Sequence, residues 1–390
     1  MKTAVSAIIG AIIALASTAA AVEYSVGSCA DLIAVDQTDL TSLVITSSPI
    51  ECDDYVRFVV RNDMTLSATV PEVVLSNIAL KIKDSLVVEI EPDIVFRDVS
   101  VVVKNGGALS VSEDCTVAFK GTATFINTSV LVKQLPCTVD DCSRIGRGIS
   151  YVIKKGGAIH NKGELTFEGD ASFLGCFSET DDSVETSRGG AISNNAPGVI
   201  HFMGDLTMED NEADGFFQGQ GGAIYNRGDI VVDGDALFFN NEAADGGGIY
   251  QEEWATFEIN GFANFTDNDA ADSEGGAICN LGGVVNINGG SLFHSNGADS
   301  SSGESGAGGA IYNYDGGVVT LTGPTTFSAN VASDGGAIYN QEVLTASVDD
   351  DFLQAYETPV ITFPDDTVFT GNRAECGADF YNGDSSTCTT

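Results

Sequence analysis

Hydrophobic and polar positions alternate along much of this chain with a period of two, and paired glycines interrupt the alternation at intervals. Large apolar residues stand two apart at Val117 and Phe119, Leu165 and Phe167, Ile200 and Phe202, Ile230 and Val232, Phe257 and Ile259, Val285 and Ile287, Val319 and Leu321, and Ile361 and Phe363. The residues between and after them are mostly polar, as with Glu258 and Asn260 or Asn286 and Asn288. Successive side chains of a strand point to opposite faces, so each stretch predicts a short strand with one buried face. Two residues later comes a glycine (Gly121, Gly169, Gly204, Gly234, Gly261, Gly289, Gly323), replaced once by Asp365. Four residues beyond it stands Phe125, Phe173, Met208, Phe238, Phe265, Phe293, Phe327 or Phe369. Three further on is Asn211, Asn241, Asn268, Asn296, Asn330 or Asn372 in six of the copies.

A second block separates these units. GGAIYN begins at Gly221, Gly308 and Gly335, with variants at Gly156, Gly189, Gly246 and Gly275, a weaker copy at Gly106 and a degenerate one at Cys376. Each repeat therefore predicts about three short strands with Gly and Asn at the turns. The Phe-to-Phe distances are 48, 35, 30, 27, 28, 34 and 42 residues, and all of the variation falls outside the rigid unit. Repeats of this length, each unable to bury its own apolar face, predict a solenoid, here a parallel β-helix. Stacking would align the Phe positions as an aromatic ladder and Leu109, Ile159, Ile192, Ile224, Ile249, Ile278, Ile311 and Ile338 as an aliphatic one. The asparagines would bond from coil to coil. The position after the Ile varies freely (Ser110, His160, Ser193, Tyr225, Tyr250, Cys279, Tyr312, Tyr339) and is expected to face solvent, giving an outward tyrosine stripe. Eight recognisable coils plus irregular N-terminal ones, at about 4.8 Å each, would make a rod roughly 40–55 Å long.

The rest of the chain is arranged around this rod. Residues 1–21 combine Lys2, an apolar run from Ala4 to Ala16 and Ala19-Ala20-Ala21, the pattern of a secretory signal peptide. The apolar run is too short for a membrane span of roughly 20 residues. Residues 22–54 are expected as an N-terminal cap, 55–382 as the β-helix with clear repeats over 106–382, and 383–390 as a polar tail. Nine cysteines suit an oxidising compartment. Short-range disulfide candidates are Cys29–Cys52, Cys137–Cys142 and Cys376–Cys388; Cys115, Cys176 and Cys279 stay open. Asn127-Thr128-Ser129 and Asn264-Phe265-Thr266 are glycosylation sequons.

Charge narrows the function. With 17 basic and 56 acidic residues the net charge is -39, which excludes binding nucleic acid or an anionic membrane by bulk charge. The acidic doublets Asp140-Asp141, Asp181-Asp182, Asp349-Asp350-Asp351 and Asp365-Asp366 read as solvated loops. Arg144, Arg147, Lys154 and Lys155 form the densest basic cluster beside an acidic pair and mark where a lyase site would sit, within the 126–155 insertion. His160, His201 and His294 are too few and too scattered for a triad or metal centre, and His160 and His201, at outward positions, are expected on the surface. No catalytic, cofactor or metal residue is assigned, and calcium is expected at most diffusely on acidic turns.

GGA[I/L/V] blocks alternating with FxxN over residues 106–382 resemble the repeats of the chlamydial polymorphic outer membrane proteins. The resemblance implies an all-β, right-handed parallel β-helix of pectin-lyase-like shape and surface-displayed autotransporter adhesins. Eight residues follow Asn382, without the alternating strands of a membrane barrel, so an autotransporter is not expected. Similar repeats also occur in secreted eukaryotic proteins. The sequence thus predicts a secreted or cell-surface, non-enzymatic adhesin or matrix-binding rod. Its partner would be extracellular polysaccharide or a cell-surface protein. The alternative is a carbohydrate-active enzyme on acidic polysaccharide.

Overall fold

The computed structural model describes residues 22–102, 106–131, 154–180, 186–215, 218–271, 273–298, 306–341 and 358–382. Residues 1–21, where a signal peptide is expected, and Cys137, Cys142, Arg144, Arg147, Cys388 and the tail 383–390 lie outside these. Among the described residues nearly everything is parallel β-structure, wound as a right-handed β-helix.

Each coil visits the same ladders in turn. The first is a 12-stranded sheet from Val22–Val26 to Val360–Thr362 that contains every alternating stretch. Next comes a ladder of Phe strands, from Ala123–Ile126 to Val368–Thr370, and later one of double-glycine strands, from Leu109–Val111 to Phe380–Asn382. These two ladders merge at the N-terminal end, where Glu72–Ile82 pairs along both, with Asn77 at φ 58° between its two arms. A feature absent from the sequence reading follows the Asn: an 8-stranded sheet from Ser100–Val102 to Val331–Ala332. Strands such as Glu242–Ala243 and Asp269–Ala270 hold only two residues, too few to show an alternation. Residues 22–54 supply rungs as well as cover. Val22–Val26 and Leu40–Ile45 begin the first sheet, and the short helix Cys29–Ala34 buries Leu32 in the core. Cys29 is bonded to Cys52 in the strand Ile50–Val60. Cys376 is also disulfide-bonded.

Register shifts near the N-terminal end, at Val22/Glu23 and between Glu51 and Val56, but is in phase through the repeats, so like residues meet. Ile311 pairs with Ile338, and Phe265 with Phe293. The Phe ladder runs Phe238, Phe265, Phe293, Phe327 and Phe369 with rings parallel and 4.7–5.1 Å apart. Before Met208 the same column stacks Phe96, Phe125 and Phe173, and a second ladder of Phe119, Phe167 and Phe202 meets that stack edge to face. Such arrangements suit the quadrupole of the rings.

Two rows of buried amides run beside the rings. In one, Asn211, Asn241, Asn268, Asn296, Asn330 and Asn372 each donate Nδ2 to the Oδ1 of the next, at 2.8–3.0 Å until Asn372. Each also donates to the carbonyl of a Phe or Met in the preceding coil, as Asn268 does to Phe238. The second row, from the last residue of GGAIYN, runs Asn161, Asn194, Asn226 and Gln251, then restarts at Asn280, Asn313, Asn340 and Asn382. It breaks because Gln251 is one methylene longer: its Nε2 reaches Val284 O at 3.4 Å, and Asn280 Oδ1 is left buried without a donor.

The paired glycines have separate tasks. The first adopts φ between 59° and 74° in nine copies (Gly106, Gly156, Gly189, Gly221, Gly246, Gly275, Gly308, Gly335, Gly377). The second lets neighbouring coils touch: a Cβ on Gly222 would lie 2.2 Å from Gly247 O.

Three substitutions test this packing. Gly222→Ala should destabilise by more than about 2 kcal/mol in denaturant unfolding, because backbone cannot yield as a side chain can. Gly371→Ala, with φ 67° and nothing within 4 Å, should cost about 1 kcal/mol for the backbone alone. Gln251→Asn should raise stability by about 1 kcal/mol by giving Asn280 Oδ1 its donor; an unchanged midpoint would mean that the orphaned oxygen costs nothing.

Candidate functional site

Because the core columns are occupied by packing, chemistry must sit outside the ladders. One strip along the rod concentrates it: the double-glycine strands, the residue just before each glycine pair and the residue just after each Asn.

The strands themselves correct an expectation. Every residue of Ile224–Asn226, Ile249–Gln251 and Ile338–Asn340 is buried. The tyrosines do point away from the main core, but they are not solvent-exposed. Tyr225, Tyr250, Cys279, Ala307, Tyr312 and Tyr339 form a second apolar cluster, flanked by Leu281, Tyr314 and Tyr381. Stacking on successive rungs covers the ring faces: Tyr225 and Tyr250 lie 5.8 Å apart, Tyr312 and Tyr339 5.4 Å, Tyr339 and Tyr381 5.3 Å. The residues on either side cover the edges. Tyr225 Oη donates to Glu252 Oε1 at 2.6 Å, and Tyr312 Oη to Gln341 Oε1. Burial holds these phenols well above their ordinary acidity range. His160 shares the column and is likewise buried, against the surface position expected for it. Burial, then Lys155 and Lys162, push its pKa down to about 3, so the ring stays neutral. His201 is half-exposed and bonds Asp233 at 2.7 Å; His294 meets Ser328 at 2.8 Å.

The column before the glycine pair changes sign along the rod. It reads Lys155, Arg188, Gln220, Asp245, Glu274, Ala307, Asp334 and Cys376, in register through the strands Lys154–Lys155, Thr186–Arg188 and Gln218–Gln220 and the bridges beyond. The column after the Asn does much the same: Lys162, Asn195, Arg227, then Glu252, Leu281, Tyr314 and Gln341. Cations therefore gather at one end. Lys155 Nζ donates to Asn195 Oδ1 at 2.8 Å, and Asn195 Nδ2 lies 3.3 Å from His160 Nδ1. Arg188 Nε donates to Gln220 Oε1 at 3.0 Å, and its guanidinium lies 4.6 Å from the centre of the Tyr225 ring. Burial first, then Arg188, Lys162 and Arg227, lower the Lys155 pKa to about 8.

At the other end, burial and the neighbouring Asp245 carboxylate raise the Glu274 pKa to about 7. The two acids sit on adjacent rungs, since Gly246 N donates to Glu274 O at 2.9 Å.

Of the residues singled out from sequence, Lys155 lies in the cationic cluster, while Arg144, Arg147, Asp140 and Asp141 are outside the described residues. Asp365 and Asp366 occupy an exposed turn. Asn127 is exposed at a turn with φ 51°, and Asn264 Oδ1 accepts from its sequon hydroxyl, Thr266 Oγ1, at 2.7 Å. The reading missed Lys162, Arg188 and Arg227. The signal was present, since each lies one residue before a Gly-Gly or one after the Asn of successive repeats, but it emerges only when the repeats are stacked. Among the described residues no three His, Cys, Asp or Glu side chains converge as a metal centre requires. No helix among them is long and apolar enough to cross a membrane.

Glu274 provides a pH test. Its folded pKa of about 7 exceeds the ordinary 4.5, so its stabilising contribution is complete below 4.5 and is lost as pH rises through 7. Glu274→Gln should flatten the fall in Tm over that range and raise Tm at pH 8. His160 acts oppositely, with stability lost as pH drops from 6.5 towards 3, so its effect separates from that of Glu274 above pH 6.5.

Comparison with known proteins adds one match. Residues 324–341 fit the model of the Chlamydia polymorphic membrane protein repeat. No curated protein and no solved structure matches the chain. The matched segment runs from the Phe327 strand through Asn330 and Gly335-Gly336 to Asn340, joining the ring ladder, both amide rows and the close coil contact. Its equivalents recur in the other coils, so this chain is a parallel β-helix that carries the Chlamydia polymorphic membrane protein repeat.

Proposed function

We propose that the protein is a secreted or surface-displayed, adhesin-like solenoid that binds and does not catalyse. One observation carries this reading. The repeat residues that match the polymorphic membrane protein model are the ones used by packing, while the columns beside them differ in charge and size from coil to coil. A frame of constant coils with variable side columns is how solenoids present extended binding surfaces. The sequons at Asn127 and Asn264, the Cys29–Cys52 bond and the signal-like residues 1–21 fit an exported protein.

The second reading, an enzyme on acidic polysaccharide, draws on the Asp245 and Glu274 carboxyl groups on adjacent rungs. A carboxyl kept protonated near neutrality beside an ionised one is the pairing used for glycosidic acid–base chemistry.

One experiment addresses both. Antibodies to the folded chain should label intact, unpermeabilised cells of the organism that makes it, or detect it in the medium. Chain 22–390 incubated with acidic and neutral polysaccharides should release no new chain ends. Signal only after permeabilisation overturns surface display. Turnover that Glu274→Gln abolishes establishes the enzyme instead.

A further inference from the structure

On a chain with 56 acidic and 17 basic residues, a knot of cations requires a reason. Lys155, Lys162, Arg188 and Arg227 belong to three successive coils, and all lie on the strip beside the double-glycine strands. They are near enough that Lys155 feels the other three. The fold does not need cations there. In the same two columns, the following coils carry Asp245, Glu274 and Asp334, or Glu252, Leu281 and Gln341, with the backbone in the same register. Residues 229–390 hold 26 acids and a single base, Arg373, against 30 acids and 15 bases in residues 22–228, so the other cations are confined to the N-terminal part of the chain.

The cluster is lightly neutralised by its described neighbours. Lys155 and Arg188 bond the neutral amides of Asn195 and Gln220, both buried. The nearby carboxylate oxygen is Glu252 Oε1, 3.8 Å from Arg188 Nη2, and it already accepts from the Tyr225 hydroxyl. Two residues after Glu252 stands Trp254, the chain's single tryptophan, 92% exposed and held at φ 66°. At the corresponding turn other coils place Gly282 (φ 74°) or Gly316 (φ 75°). A bulky residue in the left-handed region is strained, and here it leaves an indole open to solvent.

We propose that this end of the strip binds an anionic polysaccharide, a chain bearing carboxylate or sulfate groups, laid parallel to the rod axis. The inference rests on the surface-binding reading and names its ligand. Cations recurring on rungs about 4.8 Å apart call for a ligand with repeated negative charges. Neutral amides among them suit a ligand that also carries hydroxyl groups, and the exposed Trp254 face suits the apolar face of a sugar ring. A sulfated glycan and a polyuronate share this chemistry.

The test uses chain 22–390, followed by its own Trp254 fluorescence and by calorimetry, against heparin fragments, polygalacturonate fragments, neutral dextran and poly-glutamate. One or both anionic polysaccharides should bind and dextran should not, with affinity falling as salt rises. The pair Lys162→Glu and Arg227→Glu, on residues at the surface, should weaken binding at least about tenfold and reduce the salt dependence. Trp254→Ala should weaken it too. The pair Arg61→Glu and Arg97→Glu makes the same change in net charge far from the cluster and should leave binding unaltered. Equal losses in the two pairs, poly-glutamate binding as tight as the glycans, or no binding of either anionic glycan would each overturn the proposal. If surface labelling succeeds while neither glycan binds, only this inference fails; if labelling shows the protein confined inside cells, the surface reading fails by itself.

Discussion

Everything in this protein follows from the spacing of its coils. Parallel strands joined by backbone hydrogen bonds lie about 4.8 Å apart. At that distance each side chain has one dominant neighbour, the residue at the same position in the next coil. A ring then does best above a ring, and an amide above an amide. Phe238, Phe265, Phe293 and Phe327 obey this to within a few tenths of an ångström. Buried amides gain most, because an Asn with neighbours on both sides satisfies donors and acceptors that would otherwise be stranded in an apolar interior. The second glycine of each pair marks where even a methyl group would hold the coils apart.

The same constraint shows what happens when a position departs from its column. Gln251 replaces an Asn and the amide row breaks, leaving a buried acceptor unmatched one coil later. Thr128 and Cys176 replace Asn at the start of the other row, and there the row ends without an orphan: Cys176 N donates to Asn211 Oδ1, and Thr128 Oγ1 meets Cys176 Sγ at 3.3 Å. Departures inside the coil are felt by the neighbouring coil. Outside the ladders they carry no such penalty, and there the chain varies its charge, from Lys155 and Arg188 to Asp245 and Glu274.

Function is therefore a matter of columns rather than of single residues. A surface built from repeating rungs can present a gradient, basic at one end and acidic towards the other, without altering its backbone. Burial disfavours a charge, and like charges on adjacent rungs add to the effect, which is why Lys155 and Glu274 depart from their ordinary pKa values in directions that favour the neutral form. A binding partner that supplies the missing countercharge would relieve that repulsion.

How much of this was legible in the sequence depends on the range of the interaction. Period-two alternation, the Phe and Asn offsets and the paired glycines determined the strands, the ladders and the coil, because stacking is local to a repeat and its copy. The Cys29–Cys52 bond was also within reach of spacing. The strands after the Asn row were not, since four of them hold only two residues, and two residues carry no period. The tyrosine column departs from its sequence signal for a physical reason: free variation suggests exposure, yet a side chain pointing away from the main core can still be buried by flanking columns and by its own copies above and below. The cationic cluster was hidden similarly. Lys155, Lys162, Arg188 and Arg227 are spread over 73 positions of sequence, and only the winding of the chain brings them to one face, because the coil converts a distance of some thirty residues into a single rung.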